Sequence, residues 1–295
     1  MNSNKTYYLF CYFTGNEPEN ESVHFAISNN GFDFETVNGG KKMIEQKLGK
    51  KCCRDPFILR KENGGFIIIA TDMKCRDGWN SNCSIVVWES SDLINWHSER
   101  IIDFSKIKGC ETADRVWAPE ALFDKKRKEY MIYWSHHNKG SEPTVIRFAY
   151  TKDFRSLTTA PSLLFAPKSG KDGIDADIIE KGGKYYLYYK DEYEKTICIA
   201  ISDEISGPYT ETKPRRACNT NIHLEGNCIY PLPGKDEYIM IADKYVDGGY
   251  YMQKTSDMLH FCEVPAKKFT LNELHPRHGS VLEISEKEYN ALKAL

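Results

Sequence analysis

Short apolar runs heavy in Tyr, Ile and Phe recur along the chain, and each is too short for a buried helix. They lie at Tyr7 to Phe13, Gly64 to Ala70, Tyr130 to Trp134, Gly183 to Tyr189 and Tyr238 to Ala242. Ahead of the last four stands a second short run, at Asp55 to Leu59, Ala118 to Phe123, Asp175 to Ile179 and Glu225 to Tyr230, and a fifth opens at His278. β-Branched and aromatic residues bounded by turn formers read as strands joined by tight connections.

A polar turn keeps the same rhythm. Ser or Thr is followed two positions on by Asp or Asn and four further on by an aromatic residue or Leu. The copies are Ser28, Asn30, Phe34; Ser90, Asp92, Trp96; Thr151, Asp153, Leu157; and Thr255, Asp257, Phe261, with a looser one at Ser202, Asp203, Glu204 and Tyr209. One copy per roughly 50 to 60 residues fills the chain five times. Four short strands per repeat predict an all-β fold, a five-bladed β-propeller, whose radial repetition leaves only short edges. The repeat that opens at His278 has no second run of its own, and Tyr7 to Phe13 supplies it, so the last blade is closed by the N- and C-terminal strands. Residues 1–295 then form one propeller, with a short C-terminal helix marked by the capping box Ser285 to Glu288 and the staple pair Ile284 and Tyr289. An irregular β-sandwich with look-alike turns is the competing reading.

In a propeller the first strand of every blade lines the central channel. The residues that open the shorter runs therefore converge on the axis: Asp55, Ala118, Asp175, Glu225 and His278. Alternation along a strand adds Glu120, Asp177 and Asn227 to the same face. Carboxyl groups crowded in a concave site raise one another's pKa, so that one stays protonated as an acid while another stays ionised as a base. Glycoside hydrolysis needs that pair. The plainer account is that Asp55 and Asp175 cap turns, and that Asp177, Lys190, Asp191, Glu192 and Asp243 are support or solvated rim.

Charge narrows the partners. Forty Lys and Arg against 42 Asp and Glu leave a formal charge of −2, with no basic surplus to neutralise a phosphate backbone, so nucleic acid is excluded as the main partner and a neutral ligand fits better. No window holds the roughly 18 uninterrupted apolar residues of a membrane span, and Met1 to Thr6 run straight into a strand, which predicts a cytoplasmic protein unless a signal peptide has been removed. The ten cysteines contain no C-x-x-C pair, which argues against zinc and for reduced, buried thiols. His136 and His137 face opposite ways on a strand and make a poor metal pair; a loop there would let one of them reach substrate. The basic clusters Lys125 to Lys128 and Lys213 to Arg216 read as solvated turn charge.

Five motifs in order, Arg54-Asp55-Pro56, Trp117-Ala118-Pro119-Glu120, Ile174-Asp175-Ala176, Glu225-Gly226 and Arg277-His278-Gly279-Ser280, resemble glycoside hydrolase family 43 over nearly the whole chain. That family consists of five-bladed propellers that act on arabinose- and xylose-containing glycans with inversion. The resemblance implies that Asp55 is the general base, that Glu225 is the general acid, and that Asp175 holds Glu225 in place and keeps its pKa high. Asn227 stands where the family has proline, which loosens the backbone and leaves the acid. His278 matches a histidine that in many relatives lies on the axis and contacts a calcium ion or water; no cofactor is otherwise required. Trp117 and Trp79 would present faces to a sugar, Arg54 and Arg277 would bond hydroxyls or carboxylates, and Glu120 would contact substrate or hold a neighbouring blade.

The implied activity is exo-acting release of a terminal pentose, α-L-arabinofuranose first and β-D-xylose second, from plant-type oligosaccharides or polysaccharides. The stretches Lys74 to Asn82 and Lys106 to Val116 would wall off one end of the channel. Retaining fructan hydrolases need an Asn-Asp-Pro-Asn-Gly block that is absent, and mannoside phosphorylases need a basic cluster around the channel. A non-catalytic sugar-binding propeller is the alternative from another class, favoured by Asn227. Sugar, linkage and oligomeric state stay open.

Overall fold

In the computed structural model, which describes residues 6–218 and 221–295, the short runs fold as five four-stranded antiparallel sheets. The first blade holds β4 (Cys53–Arg60), β5 (Phe66–Asp72), β6 (Ser84–Ser90) and β7 (His97–Asp103). The second holds β8 (Ala113–Asp124), β9 (Glu129–Asn138), β10 (Val145–Thr151) and β11 (Ser162–Phe165). β12 (Gly173–Lys181), β13 (Lys184–Asp191), β14 (Thr196–Ser202) and β15 (Thr210–Arg216) form the third. The fourth is β16 (Glu225–Leu232), β17 (Glu237–Asp243), β18 (Tyr250–Thr255) and β19 (Cys262–Glu263). β20 (Gly279–Ile284) then pairs with β1 (Tyr7–Tyr12), followed by β2 (His24–Ser28) and β3 (Phe34–Thr36), so both chain ends close the last blade as the sequence predicts. The helix α1 (Glu286–Lys293) follows, with the capping box formed and Ile284 and Tyr289 in one core. No helix among the described residues is long and apolar enough to cross a membrane.

The middle strands are apolar without alternation because each blade is covered on both faces. Ile67 and Ile69 point into the core shared by the first and second blades, whereas Ile68 and Ala70 point into the core shared with the closing blade. Five such inter-blade cores ring the axis, which explains why the runs read Ile-Ile-Ile or Tyr-Tyr-Leu-Tyr-Tyr rather than in strict period two. The recurring polar turn joins third and fourth strands. Ser90 Oγ accepts the backbone N–H groups of Asp92 and Leu93, and Asp92 Oδ1 accepts those of Ile94 and Asn95; Thr255 and Asp257 repeat the arrangement. Lys213 to Arg216, expected in a turn, instead lie in β15, where Arg215 and Arg216 both pair with Glu194.

Four inner strands carry the same irregularity. Between Arg54 and Phe57, Trp117 and Glu120, Ile174 and Asp177, and Glu225 and Cys228, three steps on the inner strand face two on its neighbour. That is one extra residue, a β-bulge. In each, the residue after the first takes a left-handed backbone: Asp55, Ala118, Asp175 and Gly226, with φ of 49°, 45°, 53° and 53°.

Candidate active site

The bulges correct one expectation. Glu225 does not share the strand position of Asp55, Ala118 and Asp175; Gly226 does, and Glu225 is the equivalent of Arg54, Trp117 and Ile174. The residue two places beyond the left-handed position is therefore Cys228 in this blade, not Asn227. Gly226 is needed there for space as well as for φ, since a Cβ on it would come within 2.2 Å of the His278 ring.

Carboxyl side chains from three blades converge on His278. Its Nδ1 lies 3.0 Å from Asp55 Oδ1 and 3.8 Å from Asp175 Oδ2, and its Nε2 lies 3.1 Å from Glu225 Oε1 and 3.6 Å from Asp243 Oδ2. Burial opposes charge on the ring, but the surrounding carboxylates outweigh it and push the His278 pKa well above its ordinary value. That direction favours the protonated ring. Burial would raise Asp55 too, yet His278, Arg54 and a hydrogen bond from Thr71 Oγ1 at 2.7 Å hold it below the usual range.

Around Glu225 stand three cations. Lys190 Nζ is 2.7 Å from Oε2, and Arg277 Nη2 at 3.3 Å and His278 are on Oε1. Against the effect of burial they hold its carboxyl far below the ordinary carboxylate value. Asp175, which accepts the Gly226 N–H at 3.0 Å, is raised by burial, with the charges of Glu225 and Asp55 adding to the shift. The expectation was that Asp175 holds Glu225 in place and keeps its pKa high; in the structure Lys190 and Arg277 touch Glu225, whose pKa is lowered, while Asp175 reaches His278.

These groups floor a cleft of about 340 Å³ whose walls include Trp79, Trp117 and Tyr245. Trp79, half exposed, sits edge-on to Trp117 with centroids 6.3 Å apart, and the 74–82 stretch is what carries it to the rim. Arg54 lines the cleft but is committed to Asn16 and Glu21, and Arg277 to Asp243 and Glu225. Glu120, expected to contact substrate, lies lower. It faces an axial pocket of about 20 Å³, room for one water and none for a sugar, and accepts the Tyr133 hydroxyl at 2.6 Å. His136 and His137 end β9 and are buried; His137 is held between Asp114 and Glu142, and neither borders the cleft.

Asp175, Glu225 and His278 bring donor atoms within 4.8 Å of one another. In this arrangement their donor atoms are committed to ion pairs: the two His278 nitrogens face Asp55 and Glu225, and both Glu225 oxygens lie against side-chain cations.

Over residues 4–290 the chain matches the family-43-related model described as a probable glycosyl hydrolase domain. The chain belongs to this family. It is 27% identical over 277 residues to an α-L-arabinofuranosidase of Bifidobacterium longum subsp. longum, an alignment that covers 80% of this chain and 25% of that protein. The chain therefore spans about a quarter of the length of that curated relative. An endo-1,4-β-xylanase from Bacteroides thetaiotaomicron superposes with a TM-score of 0.64 at 16% identity, over 95% of this chain and 94% of that one. An exo-β-1,3-galactanase from Phanerochaete chrysosporium gives 0.56 at 19%, over 78% and 52%. At such identity these structures establish the shared propeller and nothing finer.

Of the residues around the site, Thr71 and Ser135 were not singled out in the sequence, whereas Lys190 and Asp243 were read as support or solvated rim. Thr71, Ser135, Lys190 and Asp243 each stand at the end of a second strand, level with the bulge. Thr71 Oγ1 accepts the Ala118 N–H at 2.8 Å, Ser135 Oγ accepts the Asp175 N–H at 3.0 Å, Lys190 binds Glu225, and Asp243 binds Arg277. A signal was present: in each case a polar residue directly follows the apolar run, at Ala70, Trp134, Tyr189 and Ala242. Lys190 and Asp243 are buried, not rim.

Proposed function

We propose that the chain is an inverting, exo-acting glycoside hydrolase that releases a terminal pentose, α-L-arabinofuranose or β-D-xylose, from oligosaccharide or polysaccharide. The observation that carries this reading is the placement of Asp55 and Glu225 against opposite nitrogens of the His278 ring. The ring holds the two carboxyl groups apart, as an inverting pair with a water between them requires. Asp55, held ionised, takes a proton from that water as its oxygen bonds to the anomeric carbon. Glu225 delivers a proton to the departing oxygen on the other side. Glu225 must carry that proton when the leaving oxygen departs, and Asp175, with a donor atom within 4.8 Å and a carboxyl raised by burial, is the neighbouring group able to supply it.

The cations on both Glu225 oxygens also favour a second reading, a sugar-binding propeller without catalysis. Initial rates on aryl α-L-arabinofuranoside, β-D-xyloside, β-D-galactoside and β-D-fucoside, with Glu225→Gln beside them, separate the two. Release from a pentoside, lost by about 10² to 10⁴-fold in the variant, supports the enzyme. Proton NMR should show the first-formed sugar with inverted anomeric configuration. Silence across the panel with sugar binding retained favours the binding module, and release of galactose alone overturns the pentose assignment.

A further inference from the structure

Lys190 occupies a position that folding does not explain. Its side chain is only 4% exposed, desolvating an ammonium is costly, and a buried ion pair is weak support for stability. Its Nζ lies 2.7 Å from Glu225 Oε2 and 2.8 Å from Glu192 Oε1, and 4.0 Å from the centre of the Tyr245 ring. The contact crosses blades, from the end of β13 in the third to the start of β16 in the fourth. Glu225 Oε1 is meanwhile held by His278 and Arg277. The carboxyl group is gripped at both oxygens, and Lys190 is the grip on the side opposite His278.

We propose that Lys190, anchored by Glu192, is a positioning residue that sets the plane of the Glu225 carboxyl group for proton delivery to the leaving group. This rests on Glu225 being the general acid. A misaligned acid slows only those substrates whose leaving oxygen needs a proton. A dinitrophenolate departs without one, whereas the alkoxide of a sugar or of methanol does not.

The test compares kcat/KM on two glycosides of the sugar that the panel identifies, one with a dinitrophenyl and one with a methyl or sugar leaving group. Lys190→Met should slow the second by about 10 to 100-fold and the first by less than about threefold, and Lys190→Arg, which keeps the cation, should recover part of the loss. An equal loss on both substrates, as a merely structural role would give, overturns the proposal; so does no loss on the unactivated one. Glu192→Gln removes the anchor without touching the acid, so it should give the same selective pattern on a smaller scale even if Lys190→Met does not fold, and a uniform or absent effect counts against the proposal. Glu225→Gln distinguishes the two levels. If it loses the unactivated substrate selectively while Lys190→Met does not, the positioning role alone fails; if it shows no such selectivity, the acid assignment fails with it.

Discussion

Above the bulges of the inner strands, Asp55 and Glu225 face the cleft with His278, Lys190, Arg277 and Arg54 around them, and both carboxyls are held below the usual range. Just below the bulges on the same set of strands, Glu120 and Asp177 meet only neutral donors, the Tyr133 hydroxyl and the Ile229 N–H. Burial raises Asp177 to about 7, and burial together with the Asp177 charge pushes Glu120 well above its ordinary value. Both sites are acidic and buried, yet the carboxyl pKa values are lowered in one and raised in the other. The difference lies in the cations: burial penalises every carboxylate, and only a positive neighbour in contact reverses the sign. Asp175, between the two levels, touches His278 but neither Lys190 nor Arg277, and it is raised.

The largest effect that sharpens this contrast is expected from Asp55→Asn, which keeps shape and removes the base. Hydrolysis should fall by about 10² to 10⁴-fold with little change in the melting temperature, measured by initial rates and thermal unfolding. His278→Gln removes the group between four carboxyls and takes the ion-pair partner from Asp55 and Asp175, while Glu225 and Asp243 keep Lys190 and Arg277. About 3 to 5 kcal/mol of stability should go, read from denaturant unfolding; a variant as stable as the parent would break the account of the upper site.

Asp177→Asn probes the lower one. A folded-state pKa raised from 3.8 to about 7 means that the stability this group contributes is full below about pH 4 and is lost as pH rises through 7. The variant cannot ionise, so its stability relative to the parent should climb between pH 5 and pH 8 by something on the order of 2 kcal/mol. A flat difference would show that the Asp177 proton is not held by the fold. Smallest is Glu120→Gln: since the side chain is already neutral, the amide should shift stability at neutral pH by no more than about 0.5 kcal/mol, whereas a large loss would reveal a charge there after all.

Much of this architecture was legible in the order of residues. The runs around Ile67, Tyr133, Leu187 and Ile239, and the turns at Ser28, Ser90, Thr151 and Thr255, marked the blades, because covering a sheet on both faces demands continuous apolar strands and the turn needs a hydroxyl beside a carboxyl or amide oxygen. The ordered motifs brought Asp55, Asp175, Glu225, Arg277 and His278 to one cleft, where the structure has them. Glu120 was misplaced in depth, since distance along the axis depends on where the bulge falls. Lys190 was read only as support or solvated rim because a lysine at a strand end is normally solvated, and its burial comes from Glu192 of its own blade and from Glu225 and Tyr245 of the next.

Local chemistry was enough to specify five repeats, a closure by both termini and the identity of the residues on the axis, since strand periodicity and turn hydrogen bonds act over a few neighbours. The register of Glu225 and the direction in which His278 and each carboxyl shift were decided by contacts between blades, among residues from 35 to more than 200 positions apart. Those quantities depend on which charges end up within a few ångströms in a desolvated site, and that distance exists only once the ring of blades has closed.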